Sequence, residues 1–97
     1  MSSTQGVEIV IAEDSRIQAK ILERRLTEAG HRVRWGADGQ AALDLVRERA
    51  PAIIVSDIEM PTMTGYEFCK AVKQDSELRK IPFVLLSTLS DPLDIIK

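Results

Sequence analysis

Apolar and polar positions follow one another along the chain in a pattern that predicts four strands separated by helices. Residues 7–12 and 52–55 are almost continuously apolar, which is typical of strands buried on both faces of a parallel sheet. Residues 82–87 form a third apolar run, and residues 32–35 alternate as a half-exposed edge strand does. Because strands alternate with helices, we predict a single α/β domain with a doubly wound parallel sheet.

The first helix is predicted to begin at Ser15, which with Gln18 fits a capping box. Gly30 is suited to the position after its last turn. Apolar residues recur between them at helical spacing and form one stripe. The stripe consists of Ile17, Ile21, Leu22, Leu26 and Ala29.

Three further helices are predicted after the second, third and fourth strands. The second covers residues 39–49 with Asp38 as its N-cap, and the third lies near residues 64–74. Asp91 followed by Pro92 is typical of the start of a fourth. The inward-facing residues are predicted to be Ala42, Leu43, Leu45 and Val46 of the second helix, and Phe68, Cys69 and Val72 of the third.

Polar residues follow the three apolar strands at the point where each strand ends. Glu13 and Asp14 follow the first, Asp57 follows the third, and Ser87 ends the fourth. A parallel sheet places these ends on one rim, where ligands bind in open α/β folds. Clustered carboxylates repel one another, and a divalent cation relieves that repulsion. Since few oxygen ligands are available, Mg²⁺ is the cation that this pattern favours.

A carboxylate at such a rim can itself act as a nucleophile and form an aspartyl phosphate. The cation would then bridge the carboxylate and the phosphoryl group, and catalysis would consist mostly of positioning and charge stabilisation. Ser87 is placed to donate a hydrogen bond to the new phosphate.

Composition narrows the classes of function. The 97 residues carry a net charge of −2, so they lack the basic surface of a nucleic-acid-binding domain. One cysteine excludes an internal disulfide and favours a cytoplasmic location. Residues 1–6 lack the basic and apolar regions of a signal peptide, and no apolar run approaches the ~20 residues of a membrane span.

Because of the acidic and hydroxyl residues at its strand ends, the chain resembles the receiver domain of two-component response regulators. The resemblance covers residues 7–97 and implies a flavodoxin-like fold with strand order 2-1-3-4-5. It is carried by Glu13, Asp14, Asp57, Met60, Pro61, Gly65 and Ser87.

The resemblance implies roles for the site residues. Asp57 would be the phosphoacceptor and would also ligate Mg²⁺. Asp14 would bind the metal directly, Glu13 would act through water, and Glu59 would supply its backbone carbonyl. The phosphoryl donor would be a histidine kinase, a phosphotransfer domain or a small phosphodonor. Such a module catalyses only its own phosphorylation and slow dephosphorylation, and it contacts neither nucleic acid nor membrane directly.

The chain departs from the family pattern at its C-terminal end. Family members carry a fifth strand ending in Lys-Pro and then a fifth helix; neither Lys80 nor Lys97 is placed to replace that lysine. We therefore expect residues 1–97 to be an incomplete receiver domain, with residues 83–87 as an exposed edge strand and one side of the first helix bare. Two copies would pair or exchange elements through these surfaces, unless a disordered remainder follows.

Three other classes of protein compete with the receiver domain. An aspartyl phosphohydrolase requires a second Asp two residues after the nucleophile, where this chain has Glu59. A Mg²⁺-dependent nucleic-acid fold has one Glu after its first strand and paired acids later, a pattern that Glu13, Asp57 and Glu59 match only weakly. A receiver-like module used only for binding would have no need of the intact acids. Among the remaining residues, we expect Arg34 to be solvated surface and Trp35 to lie far from the site.

Overall fold

The computed structural model describes residues 6–86 and 94–96. Within these ranges, no helix combines the length and the apolar character that a membrane crossing requires. The elements in chain order are β1 (Glu8–Ala12), α1 (Arg16–Glu28), β2 (Arg32–Gly36), α2 (Gly39–Glu48), β3 (Ile53–Asp57), α3 (Gly65–Gln74), β4 (Phe83–Leu86) and β5 (Asp94–Ile96).

The sheet has the order β2-β1-β3-β4-β5, and its first four strands are parallel, as predicted. Ala12 at the end of β1 pairs with Gly36 of β2 on one side and with Ser56 of β3 on the other. The carboxyl ends of these three strands therefore meet at one rim, directly before the residues predicted to form the site.

The fifth strand corrects two expectations about the C-terminal end. Asp94–Ile96 pairs antiparallel with β4, so the edge of β4 that we expected to be exposed is covered along Phe83 to Leu85. The same residues were expected in a fourth helix, whose predicted cap, Asp91, lies outside the described residues. Residues 87–93 are too few for the crossover of about a dozen residues that a parallel neighbour needs, whereas an antiparallel return fits that length.

The core lies between the sheet and the helices α2 and α3. The rings of Phe68 on α3 and Phe83 on β4 meet edge to face, with centroids 5.0 Å apart, which is a favourable aromatic geometry. Both side chains are fully buried. The predicted inward residues are confirmed as buried or partly buried members of this core: Ala42, Leu43, Leu45, Val46, Phe68, Cys69 and Val72.

Helix α1 begins at the predicted N-cap, because the Ser15 hydroxyl accepts a hydrogen bond from the Gln18 backbone N–H at 3.3 Å. The predicted capping box forms only in this half, since the Ser15 N–H donates to Glu13 rather than to the Gln18 side chain. The predicted apolar stripe is wrong in part. Ala19 is the buried residue of α1, while Ile17 and Ile21 are 74% and 51% exposed. The short Ala19 side chain faces inward, and the two isoleucines, four residues apart, share one outer side of the helix. One side of α1 is thus bare, as expected.

Arg34 is not the solvated residue that the sequence suggested. Its guanidinium donates to the carbonyl oxygens of Leu45 at 2.9 Å and Arg49 at 2.6 Å. Its Nε also lies 3.1 Å from Glu8, which pairs with the Arg49 side chain as well. Arg34 therefore adds a second hydrogen bond to the Leu45 carbonyl, which also accepts from the Arg49 N–H, and links the end of α2 to β1 and β2.

Candidate metal centre

Three carboxylates meet at the rim where β1 and β3 end. One carboxylate oxygen from each of Glu13, Asp14 and Asp57 lies within 4.8 Å of the others. Glu13 and Asp57 are only 7% and 4% exposed, whereas Asp14 is at the surface. The sequence predicted this cluster, and the structure brings all three residues together with Asp14 on the open side.

Asp57 is held at the end of the central strand. Its Oδ1 accepts a hydrogen bond from the Ile58 N–H at 2.8 Å, and its carbonyl oxygen accepts one from the buried Ser56 hydroxyl at 2.7 Å. Burial raises the pKa of Asp57, and the charge of Asp14 adds to that effect against the Ile58 hydrogen bond. The carboxylate is therefore fixed in orientation and is destabilised in its ionised form.

Glu13 is fixed through its backbone and its side chain. Its N–H donates to the Gly36 carbonyl at 3.1 Å, and its Oε2 accepts from the Ser15 N–H at 3.1 Å. Burial raises the pKa of Glu13, and the neighbouring Asp57 and Asp14 charges raise it further, while the Ser15 hydrogen bond acts against them. Glu13 thus adds a second costly buried charge to the cluster.

Trp35 corrects the expectation that it would lie far from the site. Its indole Nε1 donates a 2.7 Å hydrogen bond to the backbone carbonyl of Glu13. The residue ends up there because β1 and β2 pair with Ile11 opposite Trp35. No local sequence signal reports this contact, since it depends on the register between two strands.

The loop after Asp57 is closed by backbone contacts. The Gly65 N–H donates to the Ile58 carbonyl at 2.7 Å, and Thr62 adopts a positive φ of 65°. Thr64 and Glu67 form a reciprocal capping box at the start of α3, and their spacing of three residues is the local sequence signal for such a cap. These contacts fix the direction in which the chain leaves the site.

Two predicted site residues are not members of the carboxylate cluster. Glu59 lies in the loop after β3 with an exposed side chain, so the cluster does not include its carboxylate. Ser87 follows β4 directly but lies outside the described residues.

The cluster has a surplus of negative charge. Within residues 6–86, the ion pairs all involve Glu8, and no lysine or arginine pairs with Glu13, Asp14 or Asp57. Two of these acids are buried, and burial of an unpaired charge is costly. The ligand atoms that these three side chains offer are all oxygens, which hard cations prefer. The residues present therefore fit a bound Mg²⁺.

Comparison with known proteins decides the family. Residues 9–97 match the family described as "Response regulator receiver domain". The chain belongs to this family. Receiver domains are phosphoacceptor modules of two-component signalling, so the phosphohydrolase and nucleic-acid alternatives no longer apply.

The relatives show how much of a receiver-containing protein this chain represents. It is 34% identical over 88 residues to the transcriptional regulatory protein AfsQ1 of Streptomyces coelicolor, covering 91% of this chain and 38% of that protein. The chain spans about a third of the length of the transcriptional regulators that it matches.

Solved receiver structures share the fold. The signal receiver domain of a signal transduction histidine kinase from Syntrophus aciditrophicus is 40% identical, with a TM-score of 0.82 over 90% of this chain and 66% of that one. The receiver domain of the Pseudomonas aeruginosa sensor histidine kinase PA1611 is 26% identical, with a TM-score of 0.79 over 82% of this chain and 66% of that one. The PA1611 structure has a magnesium ion coordinated in its active site cleft.

Proposed function

We propose that Asp57 is the residue phosphorylated in this receiver domain. The observation that carries the proposal is its position: Asp57 ends the central strand β3 and lies within 4.8 Å of two further carboxylates. The Ile58 N–H holds Oδ1 at 2.8 Å, so the rotation of the carboxylate is restricted. A nucleophile that is already oriented loses little entropy when it reacts.

The phosphoryl donor in this proposal is a phosphohistidine of a histidine kinase or of a phosphotransfer domain. A carboxylate oxygen of Asp57 attacks phosphorus, the P–N bond breaks as the P–O bond forms, and the departing imidazole nitrogen takes a proton from solvent. The product is an aspartyl phosphate. The module acts on itself alone and slowly loses the phosphoryl group to water, so it is a signalling phosphoacceptor rather than an enzyme with a separate substrate.

Mg²⁺ is the proposed cofactor, held directly by Asp14 and Asp57, through water by Glu13, and by the backbone carbonyl of Glu59. Uncompensated charge in the carboxylate cluster supports this, as does the magnesium ion of the PA1611 receiver domain. When bound, the ion would supply positive charge that offsets the negative charge of the carboxylates and of the phosphoryl group. Ser87, which follows β4 in the sequence, is the proposed hydrogen-bond donor to the phosphate.

The extent of the domain, its cellular location and its self-association are also proposals. We propose that residues 1–97 form a receiver domain that is incomplete at its C-terminus, in line with an alignment that spans 66% of the Syntrophus chain, and that it works in the cytoplasm without direct contact to nucleic acid or membrane. With the β4 edge covered, self-association would use the bare side of α1 around Ile17 and Ile21. Sedimentation of the parent and of Ile21→Glu tests the last point.

Intact-mass spectrometry tests the phosphoacceptor. The parent and Asp57→Asn are incubated with Mg²⁺ and acetyl phosphate, in the longest chain that the gene encodes. We expect one phosphoryl group on the parent and none on Asp57→Asn. Asp44→Asn, at an exposed position on α2, is the matched control and should be labelled as the parent is. Undiminished labelling of Asp57→Asn would place the acceptor elsewhere.

A further inference from the structure

The backbone around Glu13 is fixed from the end of β2 by two adjacent residues. The Glu13 N–H donates to the Gly36 carbonyl at 3.1 Å, and the Glu13 carbonyl accepts from the Trp35 indole at 2.7 Å. The first contact continues the ladder between β1 and β2. The second is a side-chain contact made where the ladder stops and the loop to α1 begins.

The indole contact also constrains the backbone at Asp14, the next residue. A peptide group is planar, so the Glu13 carbonyl and the Asp14 N–H belong to one rigid unit. A donor that fixes that carbonyl also fixes the plane from which Asp14 departs. Asp14 is exposed, and its position depends on the backbone that carries it.

We propose that Trp35 is a positioning residue for the metal centre, acting through the Glu13 carbonyl to orient Asp14. The inference rests on the proposed Mg²⁺ site. In this role Trp35 acts through the Glu13 carbonyl and need not contact the metal or the phosphoryl group. It acts as outer groups around metal sites do, by holding a ligand in its binding geometry.

The surroundings of Trp35 support a specific contact rather than general packing. Gly36, the next residue, lies so close to the start of α2 that a Cβ there would come within 2.5 Å of the Ala42 nitrogen. The end of β2 therefore packs directly against the backbone of α2. The indole is only half-buried, yet its one polar atom is used on a backbone carbonyl beside the acidic cluster.

The test removes the indole N–H and keeps the ring. Trp35 is the single tryptophan of the chain, so biosynthetic replacement by benzothienylalanine changes this position alone and substitutes sulfur for N–H. Azatryptophan, which keeps the N–H, is the matched control. Binding of Mg²⁺ alone is measured by titration calorimetry, and the thermal melt is recorded in Mg²⁺-free buffer for each protein.

We expect benzothienylalanine to weaken Mg²⁺ binding by about tenfold, as loss of an outer contact at a metal site does, and azatryptophan to bind as the parent does. Equal Mg²⁺ affinity of all three proteins would overturn the role of Trp35, and so would a lower melting temperature without any loss of affinity, because the contact would then be purely structural.

A separate measurement distinguishes failure of this inference from failure of the proposed site. If the parent and Asp14→Ala bind Mg²⁺ equally, the metal centre itself is misplaced and Trp35 has no site to position. In the parent, the Trp35 fluorescence should change with Mg²⁺ and reach saturation at the calorimetric concentration. No change in fluorescence while Mg²⁺ binds would contradict coupling between the indole and the metal.

Discussion

Gly65 packs directly against Asp57, and a Cβ at position 65 would overlap the Asp57 carbonyl oxygen. It would also come within 2.9 Å of the Leu85 side chain. Gly65→Ala should therefore force the loop after β3 outward and destabilise the fold by about 2 kcal/mol, a typical cost of overpacking. Urea unfolding measures the change in free energy. Because Asp57 moves with the loop, Mg²⁺ affinity should fall as well; an unchanged melt and affinity would show that the loop yields without cost.

Thr62 holds a backbone conformation that suits it poorly. Its φ of 65° lies in the left-handed region, where a β-branched residue is strained. Thr62→Asn and Thr62→Gly should each raise the free energy of unfolding by about 1 kcal/mol, since Asn tolerates this region and Gly has no Cβ. Thr27→Gly in helix α1 is the control and should give no gain. A loss of stability in both Thr62 variants would mean that the Thr62 side chain contributes more than its strain costs.

The sequence predicted those features that depend on local patterns. Ser15 is a good N-cap in any context, and Asp57 follows an apolar run that is recognisable as a buried strand. The contact between Trp35 and Glu13 was not predicted, because it depends on the pairing of Ile11 with Trp35. The residues near Trp35 in the sequence carry no signal for that register. The prediction of a helix at residues 94–96 was wrong because it followed the local signal of Asp91-Pro92, whereas the pairing of Asp94–Ile96 with β4 is a contact between separate strands.

Glu8 makes stability depend on pH in the acid range. Hydrogen bonding to Arg49, followed by the charge of Arg34, lowers the pKa of Glu8 to about 2, below the ordinary value of about 4.3. The folded state thus favours the ionised form, so this contribution is present above the unfolded pKa and is lost as the pH falls from there towards 2.

Glu8→Gln should therefore be less stable than the parent at pH 6, and the difference should shrink as the pH falls through that window. Urea unfolding at a series of pH values measures it. Glu28→Gln, exposed at the end of α1, is the control and should follow the parent at every pH. A constant gap between Glu8→Gln and the parent would show that the ion pairs do not cause the difference.

Asp57→Asn should stabilise the protein when no divalent cation is bound. Burial and the charge of Asp14 raise the pKa of Asp57, so the folded state holds the proton more tightly than the unfolded chain does and the ionised carboxylate costs stability at neutral pH. Asparagine removes the charge and keeps an oxygen for the Ile58 N–H. We expect the free energy of unfolding in EDTA to rise by about 1 kcal/mol, within the usual range for a single substitution.

Mg²⁺ stabilises only proteins that bind it in the folded state, so added Mg²⁺ should raise the melting temperature of the parent and reduce the advantage of Asp57→Asn. Differential scanning calorimetry in EDTA and in Mg²⁺ measures both effects. If Asp57→Asn melts at a lower temperature than the parent in EDTA, the ionised carboxylate of Asp57 does not destabilise the folded protein.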